Sequence, residues 1–166
     1  MIAKSYILEN LRNLDAAYKK ADSAKHGLYF SKLAVLELCG WIEISMDDMV
    51  DRFSKRVLNN EDNLKYVTKD VIRKTSGFDY KQNFRMMIVK TAGICNCERI
   101  EDSIPPAVLV PFAAELGNLK SVRDRLAHTY VKGTTASIDA PSVTKARFEP
   151  IFVGLKAFDE KLRSIN

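Results

Sequence analysis

A short stretch late in the chain combines three side chains that could act on a phosphodiester. It reads Arg123-Asp124-Arg125-Leu126-Ala127-His128-Thr129-Tyr130, so a histidine follows the first arginine by five positions and a tyrosine follows by seven. An arginine supplies a fixed cation, a histidine an acid or base that can be tuned near neutral pH, and a tyrosine a phenol. Together these groups could cut or grip a phosphodiester without a metal ion.

The direction of each side chain depends on the helix that carries the motif. Apolar residues recur here at spacings of three and four, which predicts a helix from about Ala107 to Val131. At about 100° per residue, its apolar face comprises Phe112, Leu116, Leu119, Val122, Leu126 and Tyr130. His128 should point about 180° from the centre of that face. Arg123 starts inside the apolar arc, so its guanidinium must reach water or find an acidic or phosphate partner.

The spacing of the motif leaves two interpretations open. Asp124 precedes His128 by four residues and could hydrogen-bond the imidazole, fixing its tautomer and favouring its cation. The small Ala127 would leave room for a phosphate between Arg123 and His128. The same pattern also fits an ion-paired arginine beside a solvated helical face, and spacing alone favours this second interpretation.

The rest of the chain is also predicted to be helical, because alternating β-branched runs bounded by turns are missing from it. The predicted helices run from about Ile2 to Asp22, Tyr29 to Leu58, Leu64 to Lys74, Tyr80 to Ile94, Ala107 to Val131 and Pro141 to Arg163. Pro150 is a candidate kink in the last helix, a loop is expected from Cys95 to Pro106, and His26 is expected in a loop. With no repeat or dividing linker, we expect one all-α domain, residues 1–166, forming an up-and-down bundle of five to six helices.

Composition narrows the class of protein and its partners. The net charge of +5 and the pI near 9.1 favour a polyanion, RNA or DNA first, although basic residues are spread along the chain. Cys39, Cys95 and Cys97 have no second Cys/His pair at ligand spacing, which predicts reduced thiols and no metal site. The start of the chain shows no secretory signal, and the longest uncharged run, Ser103–Ala114, is broken by prolines. We therefore expect a cytoplasmic protein that does not enter the membrane.

The motif resembles the signature of the HEPN superfamily of all-α domains. That signature is an arginine, a polar residue, about three further residues and a histidine on a late helix, which Arg123, Asp124 and His128 match. Tyr130 extends the resemblance to the Arg-x4-His-x-Tyr form of HEPN toxins. A long N-terminal helix pair that includes Gly40-Trp41-Ile42-Glu43, followed by shorter helices, is similar to the architecture of the family. Only the eight-residue motif is specific.

The resemblance implies a metal-independent endoribonuclease, a toxin or defence effector, whose two motif helices meet at a shared cleft in a homodimer. His128 would be the general base toward the ribose 2′-hydroxyl or the acid toward the leaving oxygen. Arg123 would bind the scissile phosphate, and Asp124 would orient His128. The products would carry 2′,3′-cyclic phosphate ends. The implied partners are RNA, a second copy and an antitoxin protein, and no cofactor is implied.

Five further residues are candidates with open alternatives. Tyr130 matches the tyrosine that is adenylylated in some HEPN toxin pairs, but the helical wheel fits a core tyrosine equally well. Glu43 resembles the acidic residue that some HEPN enzymes carry on an early helix, and an ordinary salt-bridged glutamate is the alternative. Lys120, Arg125 and Lys132 flank the motif and could track an RNA backbone, or they belong to a solvated face.

Three hypotheses about function follow. The first is a ribonuclease; the second is a non-catalytic HEPN-like module that binds RNA, a nucleotide or a protein partner; the third is an unrelated helical bundle with a chance motif. The first is favoured because every residue of the motif is present, whereas a degenerate binding module would not need all of them.

Overall fold

The computed structural model describes residues 2–127, 130–131 and 137–165. Its seven α-helices are α1 Ser5–Lys19, α2 Ala24–Val57, α3 Glu61–Tyr66, α4 Arg85–Ala92, α5 Ile94–Ser103, α6 Pro106–Ala127 and α7 Pro141–Ser164. A π-helical turn at Val67–Ile72 continues α3, and another at Tyr80–Phe84 leads into α4. The all-α prediction is confirmed, since these described ranges contain no strand. They contain more helices than the five to six predicted.

The additional helix is α5. The sequence predicts a loop from Cys95 to Pro106, and this prediction is wrong, because most of the segment is helical. Cys97 and Ile100 lie three residues apart on one face and are both buried, so this face of α5 packs into the core. Gly93 separates α5 from α4 with a φ of +86°, a conformation that favours glycine.

The start of α2 also differs from the prediction, because the helix begins at Ala24 rather than Tyr29. The hydroxyl of Ser23 caps this end by accepting a hydrogen bond from the backbone N–H of His26 at 3.2 Å. The prediction of a loop at His26 is therefore wrong; the residue lies in the first turn, and its ring contacts Asp22.

The main hydrophobic core lies between α1, α2 and α4 to α7. Four aromatic rings meet at its centre, those of Tyr80, Phe84, Phe112 and Phe158. Their centroids are separated by 5.0–6.5 Å, within the range of favourable ring contacts. A smaller cluster that includes Val50, Val71 and Met87 packs the end of the α3 segment against α2 and α4. In the described part of the chain, no helix is both long enough and apolar enough to cross a membrane.

α6 is positioned by close contact with α7 and by packing on α2. Gly154 of α7 faces Phe112 of α6, and a Cβ at position 154 would lie only 2.3 Å from the phenylalanine ring. Glycine is therefore required for the two helices to approach each other this closely. α7 itself continues through Pro150 as one helix. These contacts hold the last turns of α6, which carry the start of the motif, against the middle of α2.

Candidate functional site

A cleft of about 350 Å³ lies between α2, α6 and the loop that connects the two π-helical turns. Its lining residues are Glu43, Asp47, Thr75, Ser76, Gly77, Lys120, Arg123 and Asp124. The structure therefore brings together four of the residues singled out from the sequence, namely Glu43, Lys120, Arg123 and Asp124. It adds Asp47 and the loop, which the sequence did not indicate.

Arg123 makes contacts with both helices and the loop. Its Nη2 lies 3.3 Å from Oε1 of Glu43, and its Nη1 lies 3.3 Å from Oδ1 of Asp124. Its Cζ lies 5.5 Å from the ring centroid of Phe78, a fully buried side chain. The face of the ring attracts the cation while the N–H groups reach the carboxylates. The guanidinium is thus paired with acidic side chains, as the position of Arg123 on the apolar arc of its helix requires.

Asp124 is held between two cations. Nζ of Lys120, one helical turn earlier, donates to Oδ2 of Asp124 at 2.6 Å, while Oδ1 faces Arg123. The contact predicted between Asp124 and His128 lies outside the described residues, as do His128 and Lys132 themselves.

The loop beside Arg123 depends on one glycine and one asparagine. Gly77 has a φ of +108°, and a Cβ there would lie 3.2 Å from Oδ1 of Asn83 and 3.6 Å from Nη2 of Arg123. Oδ1 of Asn83 accepts from the backbone N–H of Asp79 at 3.0 Å, and Nδ2 donates to the carbonyl of Ser76 at 3.1 Å. Asn83 therefore fastens the loop on both sides of Gly77, and the backbone can approach the guanidinium because no side chain intervenes.

Asp47 follows Glu43 by one helical turn on α2 and lines the same cleft. Burial raises the pKa of Asp47 to about 6, and the negative charges of Glu43 and Asp48 contribute to the increase. A carboxyl with this pKa can accept or donate a proton near neutral pH. Its spacing of four residues from Glu43 is the sequence signal that could have identified it.

The three cysteines are free thiols. Burial raises the pKa of Cys39 to about 12; Arg123 opposes this change, whereas Glu43 and Asp124 add to it. Burial likewise raises the pKa of Cys97 to about 11. Both thiols are therefore protonated at neutral pH and poorly nucleophilic. Among the residues that the structure describes, no group of three His, Cys, Asp or Glu side chains could hold a metal ion.

The charge of the cleft constrains what it can bind. Three carboxylates, those of Glu43, Asp47 and Asp124, face the two cations Lys120 and Arg123. This balance makes the cleft less attractive to a polyanion than the positive charge of the whole chain suggests. An oxyanion that engages Arg123 must compete with Glu43 and Asp124 for the guanidinium.

The remaining candidates lie at or beyond the end of α6. α6 is described as far as Ala127, and Tyr130 and Val131 are not helical, so the predicted helix extends too far; Tyr130 is 78% exposed. The alternative of a core tyrosine is therefore wrong, because the helical wheel no longer applies at that position. Arg125 is exposed on α6 and does not line the cleft.

No protein-family model matches the chain, and no curated protein or solved structure is significantly similar to it.

Proposed function

We propose that this protein is a metal-independent endoribonuclease that acts as a homodimer and cleaves RNA by attack of a ribose 2′-hydroxyl. The observation that carries this proposal is the position of Arg123. Its guanidinium lines a cleft of about 350 Å³ instead of being buried in the hydrophobic core, and Arg123 precedes His128 by only five residues. A cleft of this volume is within the range of sites for small ligands and could receive one nucleotide unit.

The proposed reaction needs two proton transfers and stabilisation of the negative charge that develops on the oxygens of a phosphorane-like transition state. The 2′-oxygen forms a bond to phosphorus while the bond from phosphorus to the 5′-oxygen of the next nucleotide breaks. One proton leaves the 2′-hydroxyl and another reaches the departing oxygen, so the products are a 2′,3′-cyclic phosphate and a 5′-hydroxyl. We assign proton transfer to His128, its orientation to Asp124, and stabilisation of the developing negative charge to Arg123.

The charge of a single cleft limits its attraction for RNA. Within one copy, the described lining carries more carboxylates than cations, which opposes an incoming phosphate. The Arg123 of a second copy would bring its own paired carboxylates, so the cations that change this balance in favour of RNA have to come from outside the cleft lining. Arg125 and Lys132 would supply these cations and, together with Lys120, track the RNA backbone on either side.

The exposure of Tyr130 supports regulation by another protein. Its side chain lies beyond the end of α6 and is 78% exposed, so a modifying partner could reach the phenol. We therefore propose a toxin or defence effector that is controlled by an antitoxin, with adenylylation of Tyr130 as the form of control that the HEPN resemblance implies.

The decisive experiment is the incubation of mixed RNA with wild-type protein, Arg123→Ala and His128→Ala in the presence of a chelator. We expect cleavage to fall about a hundredfold or more in both variants while circular dichroism shows the folded state. Arg12→Ala and His26→Ala are matched controls, because both residues are exposed and His26 lies about 25 Å along α2 from Glu43. Product ends analysed for cyclic phosphate identify the reaction, and sedimentation gives the oligomeric state.

One observation favours a second candidate, a non-catalytic module that binds RNA, a nucleotide or a protein partner. Arg123 is already paired with Glu43 and Asp124, which is the arrangement expected of an architectural arginine. This candidate predicts association without turnover and little effect of His128→Ala on binding. A folded wild-type dimer that cleaves no RNA would favour it, and a monomer that neither binds nor cleaves would favour a chance motif.

A further inference from the structure

We propose that a second cleft binds a small molecule that carries a phosphate group on an apolar body. It has a volume of about 410 Å³, lies where α2 and α7 approach their C-terminal ends, and shares no lining residue with the cleft at Arg123. Three arginines, Arg52, Arg56 and Arg163, surround one carboxylate there. We call it the three-arginine cleft, and its proposed role is independent of ribonuclease activity.

The carboxylate of Asp159 holds two of these arginines in place. Nη2 of Arg52 lies 3.1 Å from Oδ1 of Asp159, and Nη2 of Arg163 lies 2.5 Å from Oδ2. The side chain of Asp159 is only 9% exposed, whereas those of Arg52 and Arg163 are 40% and 48% exposed. The anion is therefore buried while both cations face solvent, and the trio carries one excess positive charge.

The geometry of a guanidinium leaves donors for a ligand. Each arginine presents five N–H groups along two edges, and Arg52 and Arg163 each direct one terminal nitrogen at Asp159. Because the carboxylate fixes both side chains, an oxyanion entering the cleft would meet two guanidiniums that are already oriented. Preorganised charge-assisted hydrogen bonds from arginine are among the strong interactions that proteins make with phosphate.

Arg56 reduces the electrostatic repulsion that the end of α7 would exert on an anion at this position. The cleft lies at the C-terminal end of α7, where the partial negative charge of the helix would repel phosphate. The guanidinium of Arg56 donates to the carbonyl oxygens of Leu162, Arg163 and Ile165 at 2.6–2.9 Å. These bonds satisfy three terminal carbonyls and place a positive charge against them.

The floor of the cleft is apolar, which favours a ligand that carries an apolar body beside its phosphate group. Met49, Phe53 and Leu162 form it, and the guanidinium of Arg56 lies 5.6 Å from the ring of Phe53. Inorganic phosphate would use only the arginines, whereas an apolar body bound on this floor would gain hydrophobic burial. Nucleoside monophosphates and alkyl phosphates both supply this chemistry.

The test is calorimetric titration of the full chain with AMP, hexyl phosphate and inorganic phosphate. We expect at least one of the two organic phosphates to bind more tightly than inorganic phosphate, and the tighter one identifies the class of apolar body. Arg52→Gln and Arg163→Gln should each weaken its binding about tenfold or more, because each removes a charged donor. Asp159→Asn should tighten binding, because its amide oxygen can still accept a hydrogen bond from one of the arginines and hold it in place, whereas the negative charge that competes with the ligand is removed.

The control variant is Arg12→Gln, an exposed arginine of α1. Arg12 lies two residues from Asn10, whose side chain contacts Glu37 of α2. Glu37 precedes Arg52 by fifteen residues, or about 22 Å along α2, so this part of α1 lies far from the three-arginine cleft. The affinity of Arg12→Gln for the probes should equal that of the wild type. If Arg52→Gln loosens the contact between α2 and α7, Arg52→Lys keeps the charge and should show a smaller loss of affinity in a folded protein.

Two results would overturn the proposal. One is the absence of binding of both organic phosphates to the wild type. The other is binding that responds equally to Arg52→Gln, Asp159→Asn and Arg12→Gln. A purely structural role for the arginines predicts that removing either Arg52 or Asp159 lowers stability, but it does not predict opposite changes in affinity for a phosphate.

Discussion

Arg123 of α6 and Glu43 of α2 are 80 positions apart in the sequence, yet Nη2 of the arginine lies 3.3 Å from Oε1 of the glutamate. The contact connects the motif helix to the longest helix of the bundle. The glutamate and arginine side chains are 40% and 25% exposed, so solvent screens the pair only in part.

A double-mutant cycle with Glu43→Gln and Arg123→Gln measures the strength of this contact. We expect a coupling free energy of about 0.5–1 kcal/mol in urea unfolding, decreasing as salt is added. The matched control is the pair Asp51→Asn and Lys55→Gln, an ion pair within α2 whose lysine is 67% exposed. Its coupling should be smaller, and a coupling of zero at Glu43 and Arg123 would contradict the assignment.

Asp47 should make stability depend on pH. Its pKa rises from 3.8 to about 6 on folding, so between these values the folded state holds a proton that the unfolded state has lost. The contribution of Asp47 to stability is therefore unfavourable above about pH 6 and absent below about pH 4. Asp47→Asn should stabilise the protein by about 1 kcal/mol near pH 8, a value below the full linkage energy because solvent screens the group.

Urea unfolding of Asp47→Asn and wild type at acidic and alkaline pH checks this prediction. The control is Asp102→Asn, at an exposed aspartate of α5 that does not contribute to the pKa of Asp47. A stability difference that does not change with pH would show that Asp47 is not the responsible group.

Gly154→Ala should destabilise the fold by about 1–3 kcal/mol, because the added Cβ would lie 2.3 Å from the ring of Phe112 and force α6 and α7 apart. Gly117→Ala is the control. It adds the same methyl group to a helix, but nothing lies within 4 Å of it, so higher helix propensity should stabilise the protein by up to about 1 kcal/mol. Thermal unfolding of the two variants should give shifts of opposite sign; shifts of the same sign would be inconsistent with the close contact.

Arg56→Met should lower the free energy of unfolding by about 1–2 kcal/mol. The methionine keeps an apolar stem beside Phe53 but leaves the last carbonyls of α7 without their donors. Lys55→Met alters the adjacent, exposed residue and should change stability by less than about 0.5 kcal/mol. Hydrogen exchange at the end of α7 should rise only in the Arg56 variant, and equal exchange in both would refute the capping role.

Periodicity predicts most of the helices, and its failures have local causes. In α5 the buried pair Cys97 and Ile100 carries the helical spacing, but the polar residues around it resemble a loop. At the start of α2, Ser23 is a favourable N-cap. The sequence nevertheless predicts a later start for the helix, because Gly27 follows and glycine usually marks a break. A Cβ at position 27 would lie 3.3 Å from the ring of Tyr18, so glycine lets that ring pack closely against the start of α2.

The candidate site is only partly readable from the sequence. The position of Arg123 on the apolar arc requires a partner, and Glu43 in an apolar stretch requires one too; the structure pairs them. Phe78 and Asn83 could not be assigned to the site, because contacts between distant segments leave no periodic pattern. The roles of His128 and Lys132 stay predictions.

The contact between Phe112 and Gly154 sets the rotational phase of α6. A helix that moved by one residue along its neighbour would turn by about 100°, and Arg123 would then face away from Glu43. The three heavy atoms nearest to a Cβ placed at Gly154 all belong to Phe112, so in this register the ring packs directly against the backbone of α7. The orientation of the motif is thus decided about three turns upstream, in a core contact that takes no part in the chemistry.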